Sequence, residues 1–382
     1  MSLPLLIEIK PLAAPVHAGI NVPGSKSITN RALILAALGE GQTTLRGALW
    51  SEDTQVMVAC LKKIGFDIDV LFGESEPCNR TILVRGQGGW VPCGGVSNQG
   101  KHPLELFVGN AGTAARFLAA LCCLGEGRYT LHGVPRMHER PQAALFQALR
   151  ELGYRVDAPN DRLPAVIHGA GARAGTCAVS AAESSQFASA LLLCAAVGGW
   201  EVSVSGDNED ELPYVEMTRE LVKVFPRHGG EFQIEPDASS GSYFIAADWL
   251  ARSHPPSRVS VRHWPVSRWQ IDAAFPSFLP LPPVISRRTD LGDSIMTAMV
   301  LAPFAEQPVR FEDLGRLRVQ ECERVLAMRT ELRKCGVEVE EAGDTLTVRP
   351  ADSRLRGATI ETYHDHRMAM CFAILGLKVP GV

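Results

Sequence analysis

Several kinds of protein are excluded by what this chain lacks. Its ten cysteines include no Cys-x-x-Cys pair and no Cys/His spacing suited to zinc. A zinc ribbon, a finger and a dithiol redox motif are therefore set aside. Cys122 and Cys123 adjoin within an apolar, helix-like run, and Cys60 and Cys194 also lie in apolar segments. They read as reduced thiols packed as small hydrophobes, which points to the cytoplasm. There is no surplus of positive charge: the formal net charge is −4, so nothing pulls the whole chain toward nucleic acid. No uncharged apolar run reaches membrane-spanning length, and Ala188 to Trp200, the nearest, is too short. The N-terminus has no basic stretch and Glu8 interrupts its apolar start, so no signal peptide is expected.

What is present is 382 residues, 46% hydrophobic and 21% charged, enough for two or three domains with sizeable cores. The organising stretch is Val22 to Leu38. Pro23 and Gly24 make a turn, Ser27 or Thr29 is placed to cap a helix, and Ala32, Leu33, Leu35, Ala36 and Ala37 form its apolar body. The helix start then sets free N–H groups and a positive dipole end beside Lys26, Ser27 and Arg31, an anion site in type. Gly19 to Ser27 nearly spells a P-loop. Ser25, however, separates the second glycine from Lys26, and Pro23 removes an N–H, so a nucleotide-triphosphate site is rejected.

Two patterns recur. A leucine, an apolar position and a glycine end a helix before an alternating strand at Leu61 to Phe66, Leu149 to Tyr154 and Leu332 to Val337, with a looser copy from Leu221 to Phe232. Glycine there supplies a left-handed cap. A polar cluster also opens an Ala- and Leu-rich helix six times, at Ser25 to Arg31, Asn110 to Arg116, Glu183 to Gln186, Asp237 to Ser242, Asp290 to Ser294 and Asp365 to Arg367. The helix bodies are apolar nearly all round, which marks buried helices. Six repeats of roughly 60 residues, each burying its apolar face against its neighbours, account for both patterns. Helix N-termini pointing one way would focus positive potential on one cleft. A domain boundary is expected near Glu235 to Ala238, and a second crossing near Gly19 to Val22.

Taken singly, the chemistry-bearing motifs leave alternatives open. Gly109 to Arg116 is a glycine-bearing loop in which Gly112 admits a ligand to the backbone and Thr113 and Arg116 reach it. Arg136 and Arg140 flank a constrained loop that is either an anion site or a salt-bridged surface turn. Ser184 and Ser185 suit phosphate oxygens or an ordinary N-cap, and Asp293 is either a cap or a base. Glu321 and Arg324 stand one helical turn apart, as functional groups or as a surface pair. Asp365-His-Arg367 opens a helix and lacks partner ligands for a metal.

Taken together, Gly24-Ser-Lys-Ser-Ile-Thr-Asn-Arg31, Gly109-Asn-Ala-Gly-Thr-Ala-Ala-Arg116, Arg136-Met-His-Glu-Arg-Pro141, Ser184-Ser-Gln-Phe187, Pro213-Tyr214, Asp237-Ala-Ser-Ser-Gly-Ser-Tyr243, Arg318-Val-Gln-Glu321 and Asp365-His-Arg-Met-Ala-Met370 are collinear over essentially the whole chain. In this the chain resembles the 5-enolpyruvylshikimate-3-phosphate (EPSP) synthase family, the 3-phosphoshikimate 1-carboxyvinyltransferases. The resemblance implies an α/β fold: a two-domain inside-out α/β barrel of six repeats. One domain would comprise residues 1–21 with 238–382 and the other residues 22–237, with the active site in the cleft between them. It implies transfer of the enolpyruvyl group of phosphoenolpyruvate to the 5-hydroxyl of shikimate 3-phosphate through a tetrahedral intermediate, with release of phosphate.

By position in the family's motifs, Lys26, Ser27, Arg31, Ser184, Ser185, Gln186, Tyr214, Asp293 and Gln320 would bind shikimate 3-phosphate. Lys26, Asn110, Gly112, Arg116, Arg140, Gln186, Arg324 and Arg367 would bind phosphoenolpyruvate. Asp293 would accept the 5-hydroxyl proton, and Glu321 with Lys26 would handle the proton at the methylene carbon. The resemblance further implies no metal or organic cofactor, a cytoplasmic monomer, no nucleic-acid or membrane partner, and competition by the phosphoenolpyruvate mimic glyphosate. The two ligands together carry roughly −5, and six cations, Lys26, Arg31, Arg116, Arg140, Arg324 and Arg367, stand against them.

The chain departs from the family in four places. Gln320 stands where lysine is usual, Glu211 stands where a serine commonly precedes the tyrosine by three residues, and Phe117 replaces a proline. The last residue, Val382, falls where the family continues with another strand and a further ligand-binding lysine, so the sixth repeat is expected to be incomplete. Two rival readings accompany this one. The first is the sister transferase acting on UDP-N-acetylglucosamine, which should carry Lys-Asn where Lys26-Ser27 stands. The second is an inactive or weakly active truncated paralogue that binds an anionic metabolite.

Overall fold

The structure, a computed structural model, describes residues 5–72, 78–92, 102–206, 211–251, 258–351 and 355–382. Two compact units emerge, Met1–Val22 with Pro236–Val382, and Pro23–Glu235.

In the Pro23–Glu235 unit three helices, Lys26–Leu38, Gly112–Cys123 and Ser185–Gly198, pack on one another. Their sequences explain this. In Gly112–Cys123 every residue but Thr113 is buried, because no face of the helix is polar enough to prefer water. Each Leu or Phe so buried contributes about 1.5–3 kcal/mol. Sheets lie against these helices. One has the strand order Gly230–Gln233, Glu40–Leu49, Asn79–Gln87, Asp67–Leu71, and another Leu104–Phe107, Glu126–His132, Ala165–Ala170, Arg155–Asp157. In both the first pair is parallel and the other two are antiparallel. Gly175–Ser180 and Trp200–Ser205 pair in parallel as the third repeat. That repeat sends its next strand, Gly230–Gln233, to the first sheet.

The repetition extends to single atoms. A Cβ on Gly86 would collide with the carbonyl oxygens of Ala36 and Gly39, and a Cβ on Gly169 with those of Cys122 and Gly125. In both of these repeats the glycine-bearing strand, Asn79–Gln87 or Ala165–Ala170, touches bare backbone at the end of its inner helix.

The other unit repeats the scheme. Ala238–Ala251, Ile295–Leu301 and His366–Gly376 pack together. Val284–Ser286, Val309–Glu312, Thr345–Val348 and Val339–Ala342 form a sheet of the same parallel-then-antiparallel order. His17–Ile20 pairs in parallel with Arg258–Val261. The core gathers Phe275, Phe311, Phe372, Met296 and Met299, all buried.

All six polar clusters open helices. Gly65, Gly153 and Gly336 take left-handed φ of 118°, 84° and 85° after the helices they end, and the strands Asp67–Leu71, Arg155–Asp157 and Val339–Ala342 follow. One expectation is corrected. Neither Ser27 nor Thr29 caps the first helix. The Ser25 N–H is held by the Glu235 carbonyl at 2.8 Å, so the turn closes at Ser25 and the helix begins at Lys26. Thr29 lies inside the helix and accepts from the Leu49 N–H at 3.2 Å.

Candidate active site

The Pro23–Glu235 unit carries a cluster built on the starts of its first two inner helices. The Lys26 ammonium meets Asp53 at 2.9 Å, and its side chain is half exposed. Asp53 also acts on the charge of Arg140. Arg140 donates to the Asn110 carbonyl at 3.0 Å. Gly112 is where these groups converge: a Cβ there would overlap Arg116 Nη1 and lie 2.5 Å from Arg140 Nη2. Arg116 is buried and donates through Nη2 to the Pro141 carbonyl at 2.8 Å. Its Nε and Nη1 are buried without a hydrogen-bond partner. Burial, with the neighbouring Arg140 second, pulls its pKa down to about 9. Two guanidinium groups pressed together with donors unfilled make a site that an anion would relieve. Arg136 is different: it pairs with Glu139 at 2.6 Å on the surface. Of the two alternatives for that loop, Arg136 takes the salt-bridged surface turn.

The third inner helix supplies a second cluster. Ser184 is its N-cap, its hydroxyl accepting weakly from the Gln186 N–H at 3.3 Å. The Ser185 N–H goes to the carboxylate of Glu211 at 2.7 Å in a buried contact. Arg31 is buried and fully engaged. It donates to Thr218 Oγ1 at 2.7 Å, Ser189 Oγ at 2.8 Å, the Ser27 carbonyl at 2.9 Å and the Tyr214 carbonyl at 3.4 Å. Burial lowers its pKa to about 10, against the pull of Tyr214 and Glu211. The Phe117 ring centroid lies 5.4 Å from its guanidinium carbon. Ser27 is half-buried, and the Tyr214 side chain is exposed.

The other unit centres on Asp293, just before the Ile295–Leu301 helix. It does not cap that helix. Asp272 accepts from the Ser294 N–H at 2.8 Å instead, which leaves Asp293 for Arg367 at 3.1 Å and Arg287 at 3.2 Å. Burial alone would raise the Asp293 pKa, but Arg367 and Arg287 outweigh it and hold the carboxyl below its usual range. Asp272 is pushed up by burial and by Asp293. Neighbouring carboxyls driven apart in this way suit proton transfer. Arg367 also donates to Ser239 Oγ at 3.0 Å. Its helix is capped by Asp365, which accepts from the Arg367 N–H at 2.8 Å. Arg324 is buried and engaged: Asp365 at 2.7 Å, Glu321 at 2.6 Å and the Gln320 side-chain oxygen all accept from it. Glu321 is otherwise exposed.

A family model described as EPSP synthase (3-phosphoshikimate 1-carboxyvinyltransferase) matches residues 12–276 and 286–382. The chain belongs to the EPSP synthase family. A 3-phosphoshikimate 1-carboxyvinyltransferase of Trichormus variabilis is 36% identical over 417 positions, covering 98% of this chain and 93% of the relative. One from Opitutus terrae is 37% identical over 409 positions, covering 99% and 91%. Among solved structures, an EPSP synthase from Acinetobacter baumannii superposes with TM-score 0.79 at 20% identity, covering 98% of this chain and 92% of that one. The enolpyruvyl transferase NikO from Streptomyces tendae gives 0.60 at 14%, covering 98% and 91%. The fold is thus the α/β enolpyruvyl transferase fold.

Within this EPSP synthase family member, the positions expected from the motifs fall into groups by unit. Lys26, Asn110, Gly112, Arg116 and Arg140 form one. Arg31, Ser184, Ser185, Gln186 and Tyr214 lie about the third inner helix. Asp293 with Arg367, and Gln320 and Glu321 with Arg324, belong to the other unit. Sequence reasoning missed Asp53, Asp272 and Arg287. Asp53 had a weak signal in the acidic helix start Ser51-Glu-Asp, while Asp272 belongs to no motif. Among the described residues no group of three or more His, Cys, Asp or Glu could hold a metal ion.

Proposed function

We propose that this member of the EPSP synthase family transfers the enolpyruvyl group of phosphoenolpyruvate to the 5-hydroxyl of shikimate 3-phosphate and releases inorganic phosphate. The observation that carries the reading is the anion site at Gly112: buried Arg116 with two unfilled donors, Arg140 beside it, and no side chain between them and the helix start. A small phosphorylated acid supplies the missing acceptors, and Lys26 adds a half-exposed cation. Asp293, ionised at neutral pH, takes the 5-hydroxyl proton as that oxygen bonds to the central carbon of phosphoenolpyruvate. A proton reaches the methylene carbon in the same addition, with Glu321 and Lys26 as its carriers. Loss of phosphate and of one methyl proton from the tetrahedral intermediate restores the double bond. Ser27, Arg31, Ser184, Ser185, Gln186, Tyr214 and Gln320 serve the acceptor, and Arg324 and Arg367 serve phosphoenolpyruvate. Glyphosate competes with phosphoenolpyruvate, and the chain works as a monomer. Buried free thiols at Cys60, Cys122, Cys123 and Cys194 support a reducing, cytoplasmic setting.

A coupled assay of phosphate release with both substrates tests the reaction, and absence of turnover by the wild-type chain overturns it. Asp293→Asn should lower kcat by about 10²- to 10⁴-fold, while shikimate 3-phosphate binding, followed by calorimetry, stays nearly intact. Unchanged turnover would remove Asp293 from its role.

A further inference from the structure

The Ser185 N–H is the first amide of a 14-residue helix, in the motif to which the acceptor's phosphate is assigned. In this chain that amide is already taken. Glu211, 6% exposed, places Oε2 2.7 Å from it. Glu211 also acts on the charge of Arg31. An internal carboxylate thus serves the same amide, and part of the same positive charge, as an incoming phosphate would.

A hydroxyl donates to a phosphate oxygen, whereas an ionised carboxylate only accepts. Two anions competing for one buried donor repel each other where screening is weak. A phosphate oxygen reaches the Ser185 amide only after the carboxylate leaves it.

We propose that Glu211 is a built-in competitor for the acceptor's phosphate and sets how strongly the enzyme prefers a phosphorylated acceptor to an unphosphorylated one. The inference rests on the reaction proposed above. Glu211 occupies the Ser185 amide in the unliganded protein, weakens the hold on shikimate 3-phosphate and leaves the hold on shikimate itself almost untouched.

Calorimetric titration of the full-length wild type, Glu211→Ser and Glu211→Gln with shikimate 3-phosphate and with shikimate tests this directly. Glu211→Ser should bind shikimate 3-phosphate at least about tenfold more tightly, with shikimate affinity changing by less than about twofold. Glu211→Gln, which keeps the shape and removes the charge, should shift in the same direction by less. Thermal unfolding of each variant confirms that it folds, and the Gln variant decides if the Ser variant does not. Equal or weaker shikimate 3-phosphate binding in the folded variants overturns the inference. The comparison is of binding alone, so it stands even if no variant releases phosphate, an outcome that would instead sink the assigned reaction.

Discussion

Gly112 decides how closely Arg116 and Arg140 approach the start of their helix. Any side chain there must push both guanidinium groups aside, and Arg116, being buried, has no open space to take. Gly112→Ala should therefore raise the KM for phosphoenolpyruvate by about 10- to 100-fold, with the KM for shikimate 3-phosphate much less affected. Initial-rate kinetics check this. Residue type was legible in the sequence here; the state of each residue was not. The six cations look alike in one dimension. Folded, Arg31 and Arg324 have donors satisfied by their own chain, Arg116 is left short, and Lys26 pairs with an aspartate that no motif marked. Asp293 was undecidable between cap and base because the group that settles it, Asp272, lies outside the motif and meets it only through the fold.

Elements were easier to read. The six inner helices announce themselves because an apolar stretch behind a polar opening has few other ways to satisfy both water and its own amides. Their openings are nonetheless capped by unlike devices: Asp365 and Ser184 by their own side chains, Ser294 through Asp272, and Ser25 by no side chain at all. What the first two repeats share is the contact of Asn79–Gln87 and of Ala165–Ala170 with the end of the inner helix. Gly86→Ala and Gly169→Ala each drive a methyl into two backbone carbonyls that cannot rotate away. Each should cost about 1–3 kcal/mol or more, seen as a lower midpoint in denaturant unfolding. Similar losses at the two sites would reflect their common geometry, whereas a neutral substitution at either would separate the repeats.

At the scale of the molecule, the strand order escaped the sequence. Nothing in Gly230 to Gln233 says that it pairs with Glu40–Leu49, because pairing between distant segments is settled by the packing of everything between them. Each unit has its own buried core, and each carries part of the charge assigned to the substrates. Shikimate 3-phosphate and phosphoenolpyruvate, each at about 100 times its Kd, should together raise the unfolding midpoint, each stabilising the native state by about 2.7 kcal/mol. Scanning calorimetry with each ligand and with both measures it. A midpoint unmoved by both would contradict the assigned ligands.

The pairing of His17–Ile20 with Arg258–Val261 bears on how the protein is made. During synthesis the first of these strands leaves the ribosome with no partner yet translated, and the partner follows only after the whole Pro23–Glu235 stretch. A parallel ladder closed over so long an interval forms late. The nascent chain thus completes the inserted unit first, carrying an unmatched edge that waits on the ribosome's progress.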